Sequence, residues 1–262
     1  MTAAGDSEPP SGPDDRVVLV VSCEHAGRDV PEEYADLFRS ARARAALESH
    51  RGWDPGAMEL AERFSARLGA PLVSQLVSRL LVECNRSIGH PALWSEFSRS
   101  LPRERREDVL ARFWQPHRDA VRRLVGSPMA FGDGTGTLPA AVHVGVHTFT
   151  PVWRHRRRAT DIGILYDPRR GPEAGVARLW RDGLASALRG ESSAAGALNI
   201  HLNRPYRGWT DGLTTSLRTE FPPARYLGLE LEVSQALVPV DSRIVTHLAD
   251  SFLEAVHRVP LG

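Results

Sequence analysis

Lysine is absent from this chain: all 33 of its Lys-plus-Arg positions are arginine. Schiff-base chemistry and a P-loop lysine are thereby excluded. Cysteine is nearly absent too. Cys23 and Cys84 lack CxxC spacing, which argues against a disulfide framework or a structural zinc knuckle. Both read as small buried thiols in a reducing cytoplasm, and a Cys23 thiolate is disfavoured beside Glu24. Net charge is small, +1 from 33 basic and 32 acidic side chains, so no electrostatic footprint points to nucleic acid or an anionic membrane. No apolar run is long enough to span a bilayer, and the N-terminus lacks a basic-then-apolar signal pattern.

What is present suits an ordinary globular chain: 262 residues, 42% hydrophobic and 25% charged, enough for one large α/β domain. Residues 1–15, rich in Pro, Gly, Ser and acids, read as a disordered leader, and residues 16–262 as a single domain. Val17-Val18-Leu19-Val20-Val21 is a buried-strand pattern that ends abruptly in Ser22-Cys23-Glu24-His25-Ala26-Gly27. A helix start is expected at Pro31, helices over residues 41–47 and 55–68, and strands over 72–77 and 80–82. Asp54 precedes Pro55 at a natural N-cap position.

Residues 103–125 read as an Arg-rich amphipathic helix, and residues 132–136 as a Gly-rich turn without phosphate-loop flanks. Extended segments follow at 141–150, 162–166 and 198–203, with helices at 175–188 and 241–256. Residues 226–233 alternate cleanly: Leu227, Leu229, Leu231 and Val233 on one face, Glu230 and Glu232 on the other. Strands alternating with helices predict an α/β three-layer sandwich around a central sheet.

Four groups of chemically capable residues fall at predicted strand ends: Glu24 with His25, Arg79 with Asn85 and Arg86, His143 with His147, and Glu230 with Glu232. Ligands gather at such ends in α/β proteins. Histidines and carboxylates so distributed suit one catalytic zinc, which takes three protein ligands, activates a water and polarises an acyl carbonyl. A nearby Glu can carry the water's proton to a leaving amine. An Arg on the opposite wall can grip a substrate carboxylate with its planar fork. The same residues also have plainer roles: capping for Asp54, ion pairs with Glu83 or Asp54 for Arg79 and Arg86, and a buried hydrogen-bonded histidine for His143.

Seven segments, in order, resemble the N-formylglutamate amidohydrolase family. They are Ser22-Cys23-Glu24-His25-Ala26-Gly27, His50-Arg51-Gly52-Trp53-Asp54-Pro55-Gly56, Ser78-Arg79-Leu80-Leu81-Val82-Glu83-Cys84-Asn85-Arg86-Ser87, His147-Thr148-Phe149-Thr150-Pro151, Asp161-Ile162-Gly163-Ile164-Leu165-Tyr166, Asn203-Arg204-Pro205-Tyr206-Arg207-Gly208, and Leu229-Glu230-Leu231-Glu232-Val233-Ser234-Gln235. The resemblance covers residues 17–235. The resemblance implies a zinc-carboxypeptidase-like mixed sheet between helices, with one Zn2+ above the strand ends.

It implies His25 and His147 as zinc ligands. Arg28 stands where carboxypeptidases carry a ligand Glu, so Asp54 is the preferred third ligand and Glu24 the alternative. It implies Glu232 as the catalytic proton carrier, with Glu230 on the same face as its partner. Arg86 with Asn85 corresponds to a pair that holds a substrate carboxylate; Arg79 adds to that clamp, and Tyr206 and Arg207 close over the substrate. The expected activity is cytoplasmic hydrolysis of an N-acyl amino acid such as N-formylglutamate, with a small carboxylated amide or short peptide as partner. The alternatives are an amidase or peptidase for a modified peptide or biosynthetic intermediate, and a non-catalytic carboxylate-binding protein. The Cys-Glu-His-Ala-Gly form of the first segment marks a divergent branch.

Overall fold

Strand alternation sorts this chain into one apolar and one polar sheet face, and the helices divide accordingly. The computed structural model describes residues 17–130, 140–189 and 198–260; the leader assigned to residues 1–15 and the turn at 132–136 lie outside the described residues. β1 (Val17–Cys23) leads through a 3-10 segment, Glu32–Phe38, to α1 (Ala41–Leu47), α2 (Ala57–Leu68) and the short β2 (Leu72–Ser74). α3 (Arg103–Val109) runs through a π-helical turn, Leu110–Trp114, into α4 (Gln115–Ala130). β3 (Ala140–Phe149) is followed by a small hairpin, β4 (Val152–Trp153) and β5 (Arg156–Arg157). Then come β6 (Ile162–Leu165), α5 (Gly171–Arg189), β7 (Ile200–Leu202), α6 (Leu213–Glu220), β8 (Tyr226–Ser234) and α7 (Ser242–Arg258).

Six strands form one sheet in the order β2-β1-β3-β8-β6-β7. β2, β1, β3 and β8 are parallel; β6 joins β8 antiparallel and β7 follows β6, so the sheet is mixed. Leu19, Val21 and Cys23 of β1, Val142, Val144 and Val146 of β3, and the β8 leucines form one apolar face. It packs against α2, α5 and α7, where Trp180 lies between Phe64 and Phe252, with ring centroids 6.1 and 4.8 Å away. The opposite face meets Val121 and Val125 of α4 and Leu213 and Leu217 of α6 through Val20, Ala141 and Tyr226. This is the expected three-layer α/β arrangement.

Local sequence explains the element ends. Ser40 accepts a hydrogen bond from Ala43 N at the start of α1, and Asp241 accepts one from Arg243 N at the start of α7. α2 is bracketed by Gly56 and Gly69 in the left-handed region, at φ 81° and 63°. Asp54 does not cap α2 with its side chain: Ala57 N bonds its backbone carbonyl, which leaves the carboxylate for other partners.

Three sequence expectations are corrected. Residues 80–82 form a turn instead of a strand, because their apolar side chains are buried without strand pairing; Leu81 and Val82 pack with Tyr34 and Leu93 in a satellite core, and Leu80 with Phe38. β2 stops at Ser74. Pro31 opens a 3-10 segment in place of an α-helix. α6 carries no apolar stripe that would announce it, and its Leu-Thr-Thr-Ser run has weak helix propensity. Its first N–H, on Leu213, is satisfied from outside by Asn85 Oδ1 at 2.7 Å. Among the described residues no helix is long and apolar enough to cross a membrane.

Candidate active site

The polar sheet face carries its chemistry at the carboxyl ends of β1, β3 and β8. Ser22 of β1 pairs in register with Gly145 of β3, and His147 of β3 with Glu232 of β8. Because side chains alternate, Ser22, His143, His147, Tyr226, Glu230 and Glu232 all project to this face. His25 follows β1 directly. Asp54 N donates to His25 O at 3.0 Å, which ties the segment before α2 to the strand end.

Three buried side chains converge there. His25 Nδ1 lies 3.1 Å and His147 Nδ1 3.2 Å from the same oxygen, Asp54 Oδ2. One donor atom from each of the three lies within 4.8 Å of the others. Three donors about 2.0–2.1 Å from a tetrahedral zinc would stand roughly 3.3 Å apart, a spacing the two Nδ1–Oδ2 separations match.

The outer edges of the rings add a second test. His25 Nε2 is 2.5 Å from Glu83 Oε1, and His147 Nε2 is 3.1 Å from Glu24 Oε2, close but without hydrogen-bond alignment. A carboxylate behind an imidazole keeps the proton on Nε2 and turns Nδ1 into the inward donor, as metal-binding histidines require. The donor chemistry therefore fits a divalent ion of the zinc class.

Electrostatics in this nest are strong. Burial opposes ionisation of Asp54, but His25, His147 and Arg79 outweigh it and hold the carboxyl far below the usual range. Glu83 is likewise held low against burial by Arg79 and His25, and Glu24 by His117 and His147. His25 and His147 are correspondingly raised, since the surrounding carboxylates overcome their burial.

Glu232 behaves oppositely: burial pushes its carboxyl up to about 8 against the pull of His147. Its Oε2 is buried without a hydrogen-bond partner. Burial also pushes the Cys23 thiol well up, so it stays protonated at neutral pH.

The three convergent residues, Glu232, Glu230, Arg79, Asn85, Arg86, Tyr206 and Arg207 all line one cleft of about 190 Å³. Arg79 is engaged there: its Nε donates to Glu83 at 2.7 Å and its Nη1 to Asp54 at 3.2 Å. Arg86 instead donates to two backbone carbonyls, those of Asn85 and Asp211, and has no carboxylate within 4.0 Å among the described residues. Glu230 accepts from Thr214 Oγ1 at 2.8 Å. Tyr206 and Arg207 are exposed on the rim.

Glu24 stands behind His147, on the ring edge away from Asp54. His143 lies deeper and lines no part of the cleft. Ser22 Oγ donates to Glu24 Oε1 at 2.5 Å, so His143 Nε2–H must donate to Ser22 Oγ at 2.7 Å, and Tyr226 Oη then donates to His143 Nδ1 at 3.0 Å. Burial lowers the His143 pKa to about 4, consistent with that neutral tautomer. Two contacts had no sequence signal: Glu83, expected only as an ion-pair partner of Arg79 or Arg86, stands behind His25, and buried His117 has Nε2 3.6 Å from Glu24 Oε1.

Comparisons with known proteins place the fold and the family. The chain overlays gene product Atu2144 from Agrobacterium tumefaciens with a TM-score of 0.69, at 28% identity, covering 92% of this chain and 89% of that one. It overlays N-formylglutamate amidohydrolase from Ralstonia eutropha JMP134 with a TM-score of 0.66, at 17% identity, covering 95% and 96%. At that identity the second likeness speaks for the fold alone. Among curated proteins none matches the sequence. The family model for N-formylglutamate amidohydrolase matches residues 17–238, most of the chain. This chain belongs to the N-formylglutamate amidohydrolase family.

Proposed function

We propose that the chain is a zinc-dependent amidohydrolase that cleaves the amide of an N-acyl amino acid such as N-formylglutamate. The convergence of His25, Asp54 and His147, with the unpartnered Glu232 carboxyl on the same cleft wall, is the observation that carries this proposal. His25, Asp54 and His147 would hold one Zn2+, with Glu83 and Glu24 orienting the two imidazoles from behind. When bound, such an ion supplies Lewis acidity toward the acyl oxygen and lowers the pKa of water in the site.

Glu232 moves the proton. As water adds to the acyl carbon, its proton passes to Glu232 Oε2; as the C–N bond breaks, that proton goes to the departing amine nitrogen. A carboxyl raised toward neutrality suits a group that must both accept and return a proton within one turnover. Arg86, held by backbone carbonyls and with no carboxylate within 4.0 Å among the described residues, fixes the substrate carboxylate, with the Asn85 side chain beside it. Arg79 braces Asp54 and Glu83 with all three guanidinium nitrogens and lines the cleft beside them. Tyr206 and Arg207 close the rim over the substrate. We place the protein in the cytoplasm, which its two unbridged, buried cysteines suit.

The deciding experiment measures metal content and glutamate release from N-formylglutamate, before and after chelation. Stoichiometric zinc, with activity lost on chelation and restored by zinc, supports the proposal. A metal-free native protein, or hydrolysis indifferent to chelation, overturns it.

A further inference from the structure

A second cavity adjoins the cleft and is far larger, about 650 Å³ against about 190 Å³. Tyr206 belongs to the walls of both. Much of the remaining wall comes from the β4–β5 hairpin, which begins five residues after His147. Its two-residue tip, Arg154 and His155, lies in the left-handed region at φ 48° and 61°, as tight primed hairpin turns require. Residues 154–158 are therefore five consecutive basic side chains folded beside the mouth of the cleft.

Two features separate this patch from an ordinary solvated charge run. The first is pairing. Several exposed arginines elsewhere meet acids: Arg28 with Glu48, Arg67 with Asp250, Arg103 with Glu107, Arg122 with Glu220, Arg243 with Asp241. Arg154, Arg156, Arg157 and Arg158 have no carboxylate within 4.0 Å among the described residues. Unneutralised like charges repel one another, so an arriving anion relieves a cost already present in the fold.

The second feature is an aromatic platform. The Arg158 guanidinium lies 5.3, 5.5 and 5.1 Å from the ring centroids of Phe149, Trp153 and Tyr206, and donates to Tyr206 Oη at 3.1 Å. Trp153 and Tyr206 nevertheless leave 51% and 46% of their surface exposed. Rings fixed by a cation yet open to solvent offer a rigid face to the planar amides and methylenes of a peptide.

We propose that this annex binds a multiply anionic extension of the substrate, and that the preferred substrate is an N-acyl acidic oligopeptide. The proposal rests on the hydrolytic role given to the cleft. A cleft of about 190 Å³ holds one small residue, below the ~300–1,000 Å³ usual for larger ligands, and the annex supplies the missing room. Arginine forks receive carboxylates bidentately, which selects acidic residues in the part of the peptide beyond Tyr206.

The test compares kcat/KM for N-formyl-Glu, N-formyl-Glu-Glu-Glu and N-formyl-Glu-Gln-Gln, in the native protein and in an Arg156→Gln/Arg157→Gln variant. Neither substituted residue lines the cleft. We expect the all-Glu tripeptide to be preferred over the less charged Glu-Gln-Gln one by about tenfold, the effect of a few exposed ion pairs. The preference should collapse in the variant and at high salt, with N-formyl-Glu turnover unchanged. Equal rates for the two tripeptides, or a preference the variant keeps, overturns the proposal.

Calorimetric titration with unacylated tri-glutamate separates this proposal from the one it rests on. Salt-sensitive binding that the variant abolishes, without hydrolysis of any N-acyl compound, supports the annex and overturns the hydrolytic role. Turnover of N-formyl-Glu without charge preference does the reverse.

Discussion

Glu83 Oε1 lies 2.5 Å from His25 Nε2, on the ring edge opposite Asp54, and 58 residues separate the two in sequence. That contact sets which imidazole nitrogen faces the centre. Glu83→Gln keeps the shape but removes the charge, and zinc affinity should fall about 10–100-fold with the fold intact. Competition against a chromogenic chelator, with circular dichroism as the folding control, reads the change. An unaltered affinity would remove Glu83 from the site. Glu24→Gln should act similarly through His147.

Removal of the metal should lower thermal stability. Zinc at 100-fold over its Kd contributes about 2.7 kcal/mol to a protein that binds it only when folded. Chelated protein should therefore melt earlier, and added zinc should restore the midpoint. His25→Ala should melt at one temperature with or without chelator. Melting of native protein that ignores both treatments would count against a resident ion.

Glu232→Gln separates proton transfer from metal binding. The residue touches the cleft but not the Asp54 carboxylate cluster, so zinc content should stay stoichiometric. Turnover should drop by about 10²–10⁴, the usual contribution of a positioned acid/base. A variant that retains most activity would reassign the proton carrier.

The metal-free protein should lose stability at both ends of the pH scale. Asp54, Glu83 and Glu24 ionise more readily folded than unfolded, so their contribution is complete above about pH 4–5 and fades as pH falls toward the depressed values. His25 and His147 have raised values, so theirs is complete below about pH 6.5 and fades as pH climbs through those values. Urea midpoints of chelated protein at pH 3, 6 and 9 should peak at 6, and His147→Gln should flatten the alkaline limb. A flat profile would show that these groups are not coupled to folding.

Gly27 is held where no other residue fits. A Cβ there would stand 2.4 Å from Leu76 O, in a contact pinned by the 2.9 Å hydrogen bond from Asp29 N to the same oxygen. Gly27→Ala must push the His25 segment off the β2 end, and should cost about 1–3 kcal/mol. Urea unfolding measures the loss; a midpoint equal to that of native protein would show that this loop yields freely.

Much of the site was legible because strands alternate. The Leu and Glu positions of β8, and the spacing of His143 and His147 in β3, assign each residue to a face without coordinates. The failures share a cause. The residues 80–82 run is apolar because it fills a satellite core, and a three-residue run does not reveal whether burial comes with pairing. The weak helix α6 is held by tertiary contact, with Asn85 satisfying its first N–H. Strand pattern yields only separate strand-end groups, because nothing local specifies which of them meet; the family resemblance is what joins His25, Asp54, His147 and Glu232 into one expected site.

The face each strand residue occupies, the exclusion of lysine and disulfide chemistry, and the ordered segments that identify the family are all readable along the chain. Positions inside the nest came from packing: it put the Asp54 carboxylate, preferred third ligand on the resemblance, between two imidazoles, set Glu24 behind His147, and brought Glu83 to His25. Periodicity fixes direction relative to a sheet, because backbone geometry is local. Distances between residues 29, 58 or 93 positions apart depend on how strands order and loops return, and that is settled only when the whole core packs.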